Sequence, residues 1–162
     1  MNETAPVIDS RAAFHAALGW GFEQAVGQGA KQIVCADPDF ADWAWDDAPR
    51  LSMLSAWLRQ PQRRLVLLAR QYEAMPRRWP RFCTWRRDWV HAMSAWQPPQ
   101  DWDVEIPALL VADRGVSVHL IDPVHWRGRA SLEARAAFLW RERIDAVLQR
   151  SEPAFSVGTL GL

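Results

Sequence analysis

The stretch from Val104 to Asp122 constrains the fold more than any other part of the sequence. It holds an apolar run, VEIPALLVA, then an Asp-Arg-Gly turn at 113–115, and then a run with alternating character, VSVHLID. Two strand-like runs joined by a short turn that contains glycine are typical of a β-hairpin. The sequence therefore predicts two antiparallel strands, around which the other elements have to be arranged.

Two helix–strand units precede this hairpin. Asp9 or Ser10 can cap a helix whose apolar residues recur every three or four positions as far as Gly27 and Gly29, and a short strand follows at 31–36. A second helix is predicted over 49–60, and the apolar run LVLLA within 63–70 is typical of a central strand covered on both faces. The pattern predicts an α/β protein: a single three-layer domain, residues 1–162, with a mixed, mostly parallel central sheet flanked by helices.

The other segments are assigned by periodicity and polarity. Residues 76–96 predict a third helix, residues 123–129 a polar loop, and residues from about Leu132 to Arg150 a long final helix capped by Ser131. The last twelve residues have no clear period. They predict a tail that packs on the domain through Phe155, Val157, Leu160 and Leu162.

Composition narrows the cellular setting and the cofactors. No apolar run approaches the roughly 20 residues of a membrane-spanning helix. The N-terminus has no basic segment followed by an apolar one, so we expect a cytoplasmic protein with no membrane partner. Cys35 and Cys83, the only cysteines, are expected to be reduced core residues, since a structural zinc site usually takes four Cys or His ligands. We expect no metal and no cofactor.

Positive charge is concentrated in residues 50–87, which carry ten basic residues and one acidic residue in a chain of zero net charge. The arginines between Arg77 and Arg87 are interleaved with Trp79, Trp85 and Trp89. Such an arrangement can bind a single-stranded nucleic acid by stacking bases and holding phosphates. Because Trp85, Trp89 and Trp96 share a helical face with other apolar residues, a core role is favoured, and we do not expect nucleic acid as the partner.

An acidic, Trp-containing segment, DPDFADWAWDD at 37–47, follows the first strand of the helix–strand units. In open α/β sheets ligands bind at loops after the carboxyl ends of strands, which makes five residues candidates for a site: Asp37, Asp39, Asp42, Trp43 and Trp45. The alternative, which we favour, is a solvated acidic loop pinned by its aromatic side chains, because the segment lacks the ordered ligands of a calcium loop.

The order helix, strand, helix, strand, helix, two strands and a closing helix resembles one unit of the phospholipase D-like family over about residues 10–150. Active members carry a His, any residue, a Lys, four residues and an Asp on the first strand of the hairpin, followed by Gly-Ser-x-x-Asn. The resemblance implies that this His attacks phosphorus and the Lys stabilises the phosphate oxygens. Anchored on Asp113, the spacing places Ile106 at the His position and Ala108 at the Lys position.

The second half of the family motif is also absent. Leu120 and Ile121 stand where the Gly-Ser pair belongs, and Val124 stands at the Asn position. Neither Ile nor Ala can attack phosphorus or stabilise an anionic phosphate. The resemblance therefore implies a degenerate, non-catalytic member that acts as a binding or interaction module. Its partner is left open between an unidentified protein, a small anionic ligand and a second copy of the chain.

One alternative retains chemistry in the fold. It is a small phosphate-ester hydrolase with a relocated site built from Asp37, Asp39, Asp113, His125 and Arg127. A carboxylate, an imidazole and a guanidinium can together activate water and hold an anion. This hypothesis predicts that the five side chains converge in one concave pocket. We favour the absence of catalysis over this alternative.

Overall fold

The structure, a computed structural model, describes residues 4–157 and is organised around one sheet. The strands of this sheet are β1 (Val7–Ile8), β2 (Gln32–Asp37), β3 (Arg64–Ala69), β4 (Met93–Gln97), β5 (Ala108–Ala112), β6 (Ser117–Asp122), β7 (Arg127–Ser131) and β8 (Glu152–Pro153). The helices are α1 (Arg11–Gly27), α2 (Ala48–Leu58), α3 (Met75–Arg78), α4 (Pro80–Arg86) and α5 (Ala134–Leu148), with a 3-10 turn at Arg87–Trp89. Across the sheet the strand order is β1-β7-β6-β5-β2-β3-β4-β8.

The sheet is mixed, but it is not mostly parallel. Within residues 4–157, only β2 with β3 and β3 with β4 pair in parallel. Antiparallel pairing joins β5 to β2, β6 to β5, β7 to β6, β1 to β7 and β8 to β4. The expectation of a mostly parallel sheet is therefore wrong, because three antiparallel strands, β1, β7 and β8, were not predicted from the sequence.

Helices cover both faces of the sheet. One face packs against α1, α2 and α4, which contribute large buried side chains such as Phe14, Leu54 and Phe82. The other face packs against α5, which buries Ala137 and Ile144. This arrangement gives the three layers that the α/β pattern predicts.

Most of the helix–strand units lie where the sequence predicts them. Ser10 caps α1 by accepting a hydrogen bond on Oγ from the Ala13 amide at 3.0 Å. The chain leaves α1 through Gly29, whose φ of +73° lies in the left-handed region that favours glycine. The structure also has the predicted elements at β2, β3, α2 and the β5–β6 hairpin. Cys35 and Cys83 are both free thiols, with Cys35 buried in β2 and Cys83 half-buried in α4.

Two segments differ from prediction. The single helix expected over 76–96 is two short helices and a 3-10 turn, and its last part is strand β4. The polar loop expected over 123–129 ends where β7 begins at Arg127. In both segments backbone pairing with a neighbouring strand, β3 or β6, overrides the local pattern.

The end of the chain agrees in part with its predicted structure. Helix α5 begins at Ala134, and Ser131 lies before it, accepting a hydrogen bond from the Glu133 amide at 3.0 Å. Phe155 packs against the core and stacks on Tyr72, whereas the predicted contacts of Leu160 and Leu162 lie outside the described residues. Within residues 4–157 no helix is long and apolar enough to cross a membrane.

Candidate functional site

A cavity of about 390 Å³ opens at the carboxyl end of β2. Strands β5 and β6 contribute to it because β5 runs antiparallel to β2, so that its first residue lies at the same edge of the sheet. We call it the strand-end cavity. Its walls are formed by Phe14, Asp37, Pro38, Asp39, Asp42, Arg70, Glu105, Ile106, Pro107, Ala108, His119, Leu120, Ile121, Pro123 and Trp126.

Asp37 organises the loop that forms one wall of this cavity. Its Oδ2 accepts hydrogen bonds from the amides of Asp39 at 3.0 Å and Phe40 at 2.7 Å. Its Oδ1 accepts a hydrogen bond from the Trp43 indole Nε1 at 3.1 Å. Because three donors are fixed by one carboxylate, the chain turns sharply after β2, and Phe40 adopts a positive φ of 60°.

The aromatic residues of the same loop point into the core. Trp43 and Trp45 are completely buried and stack on each other with ring centroids 5.7 Å apart. The buried Arg50 side chain caps the loop, its Nη1 donating to the Trp43 carbonyl at 2.7 Å. The loop is therefore anchored by its tryptophans, as the favoured interpretation predicts, but these rings lie behind the cavity wall and Asp37 is mostly buried.

Burial changes the acidity of Asp37. Desolvation raises the pKa of this carboxyl to about 6, against the opposing effect of its three hydrogen-bond donors. The folded protein therefore holds this proton at a pH where the unfolded chain has released it. The stabilisation is complete below the usual pKa of an aspartate, about 3.9, and is lost as the pH rises through about 6.

Replacing Asp37 with asparagine is expected to remove this pH dependence. Between pH 4 and pH 6.5 the free energy of unfolding of the wild type should fall by on the order of 2 kcal/mol relative to that of the variant. Urea unfolding across this range measures the difference. Asp9→Asn, at an exposed carboxylate, serves as the control and should leave the wild-type slope in place; parallel curves for Asp37→Asn and the wild type would contradict the assignment.

The opposite wall carries the residues at the catalytic positions of the resemblance. Ile106 and Ala108 both line the cavity and are buried, at 5% and 8% exposure. Their side chains offer no nucleophile and no positive charge. His119 lies on the neighbouring strand and packs edge-on against Trp140 at 4.4 Å. Burial, and secondarily Arg143, lowers the pKa of His119, which favours the neutral imidazole.

Carboxylates dominate the charge of the cavity. Asp42 pairs with Arg11 at 3.0 Å, whereas Glu105 is exposed and has no hydrogen bond or ion pair with another residue in 4–157. Asp37 and Asp39 add two more carboxylates. Arg70 is the only cationic side chain among the wall residues within 4–157. Its guanidinium donates to the carbonyls of Pro99 and Val104. Four acidic groups over an apolar floor suit a small cation with a hydrocarbon part.

Only two residues of the hypothetical hydrolase site reach the cavity, namely Asp37 and Asp39. Asp113 lies at the opposite end of β2, where its Oδ1 accepts hydrogen bonds from the amides of Lys31 at 3.0 Å and Gln32 at 3.4 Å. Residues 32 and 37 are separated by roughly 17 Å along an extended strand. Asp113 therefore fixes the start of β2 and takes no part in the strand-end cavity.

The remaining two hydrolase candidates lie at the correct edge of the sheet but outside the cavity walls. His125 is exposed in the connection between β6 and β7, with Nδ1 2.8 Å from Asp122 Oδ2. This hydrogen bond lowers the pKa of Asp122. Arg127 is exposed at the start of β7. The five side chains do not converge in one pocket.

The cavity residues that were not predicted from the sequence include Arg70, Glu105 and Trp126. Arg70 directly follows β3, so the rule that selected Asp37 at the end of β2 could have found it. Glu105 immediately precedes Ile106, which the family spacing had already singled out. No sequence signal indicated Trp126, because it depends on a strand, β7, that the local pattern does not reveal.

The arginine-rich segment around α3 and α4 does not present its tryptophan rings as a surface on which bases could stack. Trp79 donates its indole hydrogen to the Phe40 carbonyl at 2.9 Å, and Trp85 donates to Ser55 Oγ at 2.7 Å. Both rings, and that of Trp89, pack against the core. The rings are therefore held by the protein, while Arg77, Arg81 and other arginines of the segment are exposed.

Comparison with known proteins gives a structural likeness. No family model and no curated protein matches the chain. Among solved structures, the archaeal chromatin protein TrmBL2, whose structure shows a novel mode of DNA binding, superposes with a TM-score of 0.54 at 11% sequence identity. The match covers 85% of this chain and 51% of that one, so this chain spans about half the length of TrmBL2. At this identity the likeness concerns the fold alone.

Proposed function

We propose that the chain is a non-catalytic, phospholipase D-like binding module that takes a small amphipathic cation in the strand-end cavity. The observation that carries the proposal is the presence of Ile106 and Ala108 in the cavity wall, at the positions where the family places its nucleophile and its phosphate-binding lysine. A formed cavity without a nucleophile can bind a ligand but cannot carry out the covalent reaction.

The charge of the cavity supports a cation over the small anionic ligand, one of the partners left open by the sequence. An anionic phosphate would face Asp39 and Glu105, while Asp42 is already paired with Arg11 and Arg70 is already hydrogen-bonded to two carbonyls. Repulsion between such charges costs about 1 kcal/mol for each close pair even in water. A primary amine reverses the sign of each of these interactions, while Ile106, Leu120 and Trp126 provide apolar contact for a hydrocarbon group.

The two alternatives have less support. A relocated hydrolase site would need Asp113, which is engaged at the far end of β2. Nucleic-acid binding by base stacking would need free aromatic faces, but Trp79 and Trp85 are packed and hydrogen-bonded. Exposed arginines could still contact phosphates, and the similar structure TrmBL2 belongs to a DNA-binding chromatin protein. Such binding by charge alone should be seen at about 50 mM salt and be largely lost at about 200 mM.

Titration calorimetry with 2-phenylethylamine tests the proposal. We expect the wild type to bind the amine and Glu105→Gln to weaken binding about fivefold, which corresponds to one exposed charge pair. Glu142→Gln, at an exposed carboxylate of α5 that is not among the cavity walls, is the matched control and should bind like the wild type. Equal affinity of the wild type and Glu105→Gln, or no heat with either, would refute the assignment.

A further inference from the structure

A second concave surface lies at the other edge of the sheet, where β8 covers only the end of β4. Pairing between them is limited to Trp96 with Pro153 and Gln97 with Glu152, followed by a hydrogen bond from the Ala154 amide to the Ala95 carbonyl at 2.9 Å. Between this segment and α4 lies a groove of about 680 Å³. We call it the edge groove.

Arg86 lies in the wall of the edge groove and is 93% buried, with 7% exposure. Its Cζ is 4.3 Å from the centroid of the Phe155 ring, and Phe155 in turn stacks on Tyr72 at 4.9 Å. No residue within 4–157 accepts a hydrogen bond from this guanidinium or forms an ion pair with it. The face of the Phe155 ring lies against this charge, and the Cys83 thiol and the Tyr72 phenol are close enough to interact with it electrostatically.

Arg50 shows what a structural buried arginine looks like in the same protein. It is also buried, at 8% exposure, and it also lies near an aromatic ring, that of Phe22 at 5.2 Å. Unlike Arg86, its guanidinium donates to the carbonyls of Trp43 and Ala44 at 2.7 and 3.4 Å. Arg50 thus binds carbonyls of the fold through its Nη1, whereas no residue in 4–157 accepts from the Arg86 guanidinium, which can offer five N–H donors to another partner.

The other walls of the edge groove define the kind of partner. Its described residues include no carboxylate, and Arg87 adds a second guanidinium beside Arg86. Met93, Trp96 and Val90 provide apolar surface, and Val90 is 54% exposed. Burying an unpaired charge is costly unless an opposite charge and hydrogen bonds accompany it. A carboxylate at this position would supply both, through paired hydrogen bonds to the guanidinium.

We propose that the edge groove is a binding site for a small amphipathic monocarboxylate, with its carboxylate on Arg86 and its hydrocarbon part along Met93 and Trp96. One buried guanidinium matches a single negative charge, and the apolar walls select against an anion without a hydrocarbon part. The site is independent of the strand-end cavity, which is acidic and takes the opposite charge. The two proposals can therefore fail separately.

Titration calorimetry with 3-phenylpropanoate tests this site, with inorganic phosphate as the anion that lacks a hydrocarbon part. We expect the wild type to bind the carboxylate, to bind phosphate more weakly, and to lose at least about tenfold in carboxylate affinity in Arg86→Met. Because Met replaces a buried charge by an apolar side chain of similar length, the Tm of Arg86→Met should be unchanged or higher. Arg135→Gln, an exposed arginine of α5, is the charge-matched control.

A second variant keeps the test decisive if Arg86→Met fails to fold. Val90→Glu places a negative charge at the exposed rim of the edge groove and should weaken carboxylate binding several-fold, while binding of 2-phenylethylamine stays at its wild-type value. Undiminished carboxylate binding in Val90→Glu, or in a folded Arg86→Met, would overturn the proposal. So would a lowered Tm of Arg86→Met combined with wild-type binding, because the guanidinium would then have a structural role alone.

Discussion

Replacing Trp45 with alanine is expected to lower the free energy of unfolding by about 4 kcal/mol. Trp45 is completely buried and contacts four aromatic rings, those of Phe22, Phe40, Trp43 and Phe82, at centroid distances of 5.8, 5.8, 5.7 and 4.6 Å. Removal of the indole leaves a large void that these rings cannot close without leaving their rotamers. Urea unfolding of the variant measures the loss.

Two further variants show whether the loss of stability comes from the packing of Trp45 or would follow from removing a tryptophan elsewhere. Trp45→Phe should cost about 2 kcal/mol or less, since the buried indole nitrogen has no hydrogen-bond partner within the described range and a smaller ring still fills most of the space. Trp102→Ala, at a half-buried ring covered by Arg150 at 3.8 Å, should cost about 1 kcal/mol. Equal losses for Trp45→Ala and Trp102→Ala would show that the aromatic cluster does not dominate the stability of the 37–47 loop.

Gly128→Ala is expected to destabilise the protein by about 3 kcal/mol or to prevent folding. A Cβ on Gly128 would lie 2.4 Å from the His119 carbonyl oxygen and 3.0 Å from the Leu120 Cα. Both atoms belong to the backbone of β6, so no side-chain rotation can relieve the contact. Strand β7 would separate from β6, taking with it the pairing of Ile8 with Gly128 and the connection that brings Trp126 to the strand-end cavity.

Gly27→Ala is the matched control for this substitution. Gly27 is the last residue of α1, and a Cβ there meets no atom within 4 Å. Alanine also restricts the unfolded chain more than glycine does, so the variant should be unchanged or more stable by about 0.5 kcal/mol. Thermal unfolding monitored by circular dichroism compares the two. A Gly128→Ala protein as stable as Gly27→Ala would mean that β6 and β7 are not packed as closely as the structure has them.

The elements that could be predicted from sequence are those whose local pattern agrees with their tertiary role. Helix α1 has a cap at Ser10, a stripe and a glycine exit, and β3 has an uninterrupted apolar run, so each is recognisable alone. Strand β7 is not, because its residues RGRAS are small or charged and only pairing with β6 makes them a strand. The segment that forms β4 was predicted to be the end of a helix, because Met93 and Trp96 are three residues apart. Over only five residues, its apolar positions fit the period of a helix as well as that of a strand.

Some residues of the candidate sites could likewise be predicted from the sequence, and others could not. Asp37 and Asp39 could be predicted because a residue after the carboxyl end of a parallel strand lies at the ligand-binding edge whatever the rest of the fold does. Asp113 could not be placed, since a residue after β5 lies at the opposite edge only once β5 is known to run antiparallel to β2. Whether the Arg86 guanidinium meets a hydrogen-bond acceptor depends on residues that are distant from it in the sequence. Its lack of a partner within residues 4–157 could therefore not be predicted from the local pattern.

We propose that the strand-end cavity binds a small cation at the position where the resemblance would require a catalytic site. Amide chemical-shift mapping in ¹⁵N-labelled protein titrated with 2-phenylethylamine tests it most directly. We expect saturable shifts at Asp39, Glu105 and Trp126, which line the cavity, and none at Arg86 or Asp113. Shifts confined to the arginines of α3 and α4 or to the edge groove, or no saturable shift at all, would contradict it.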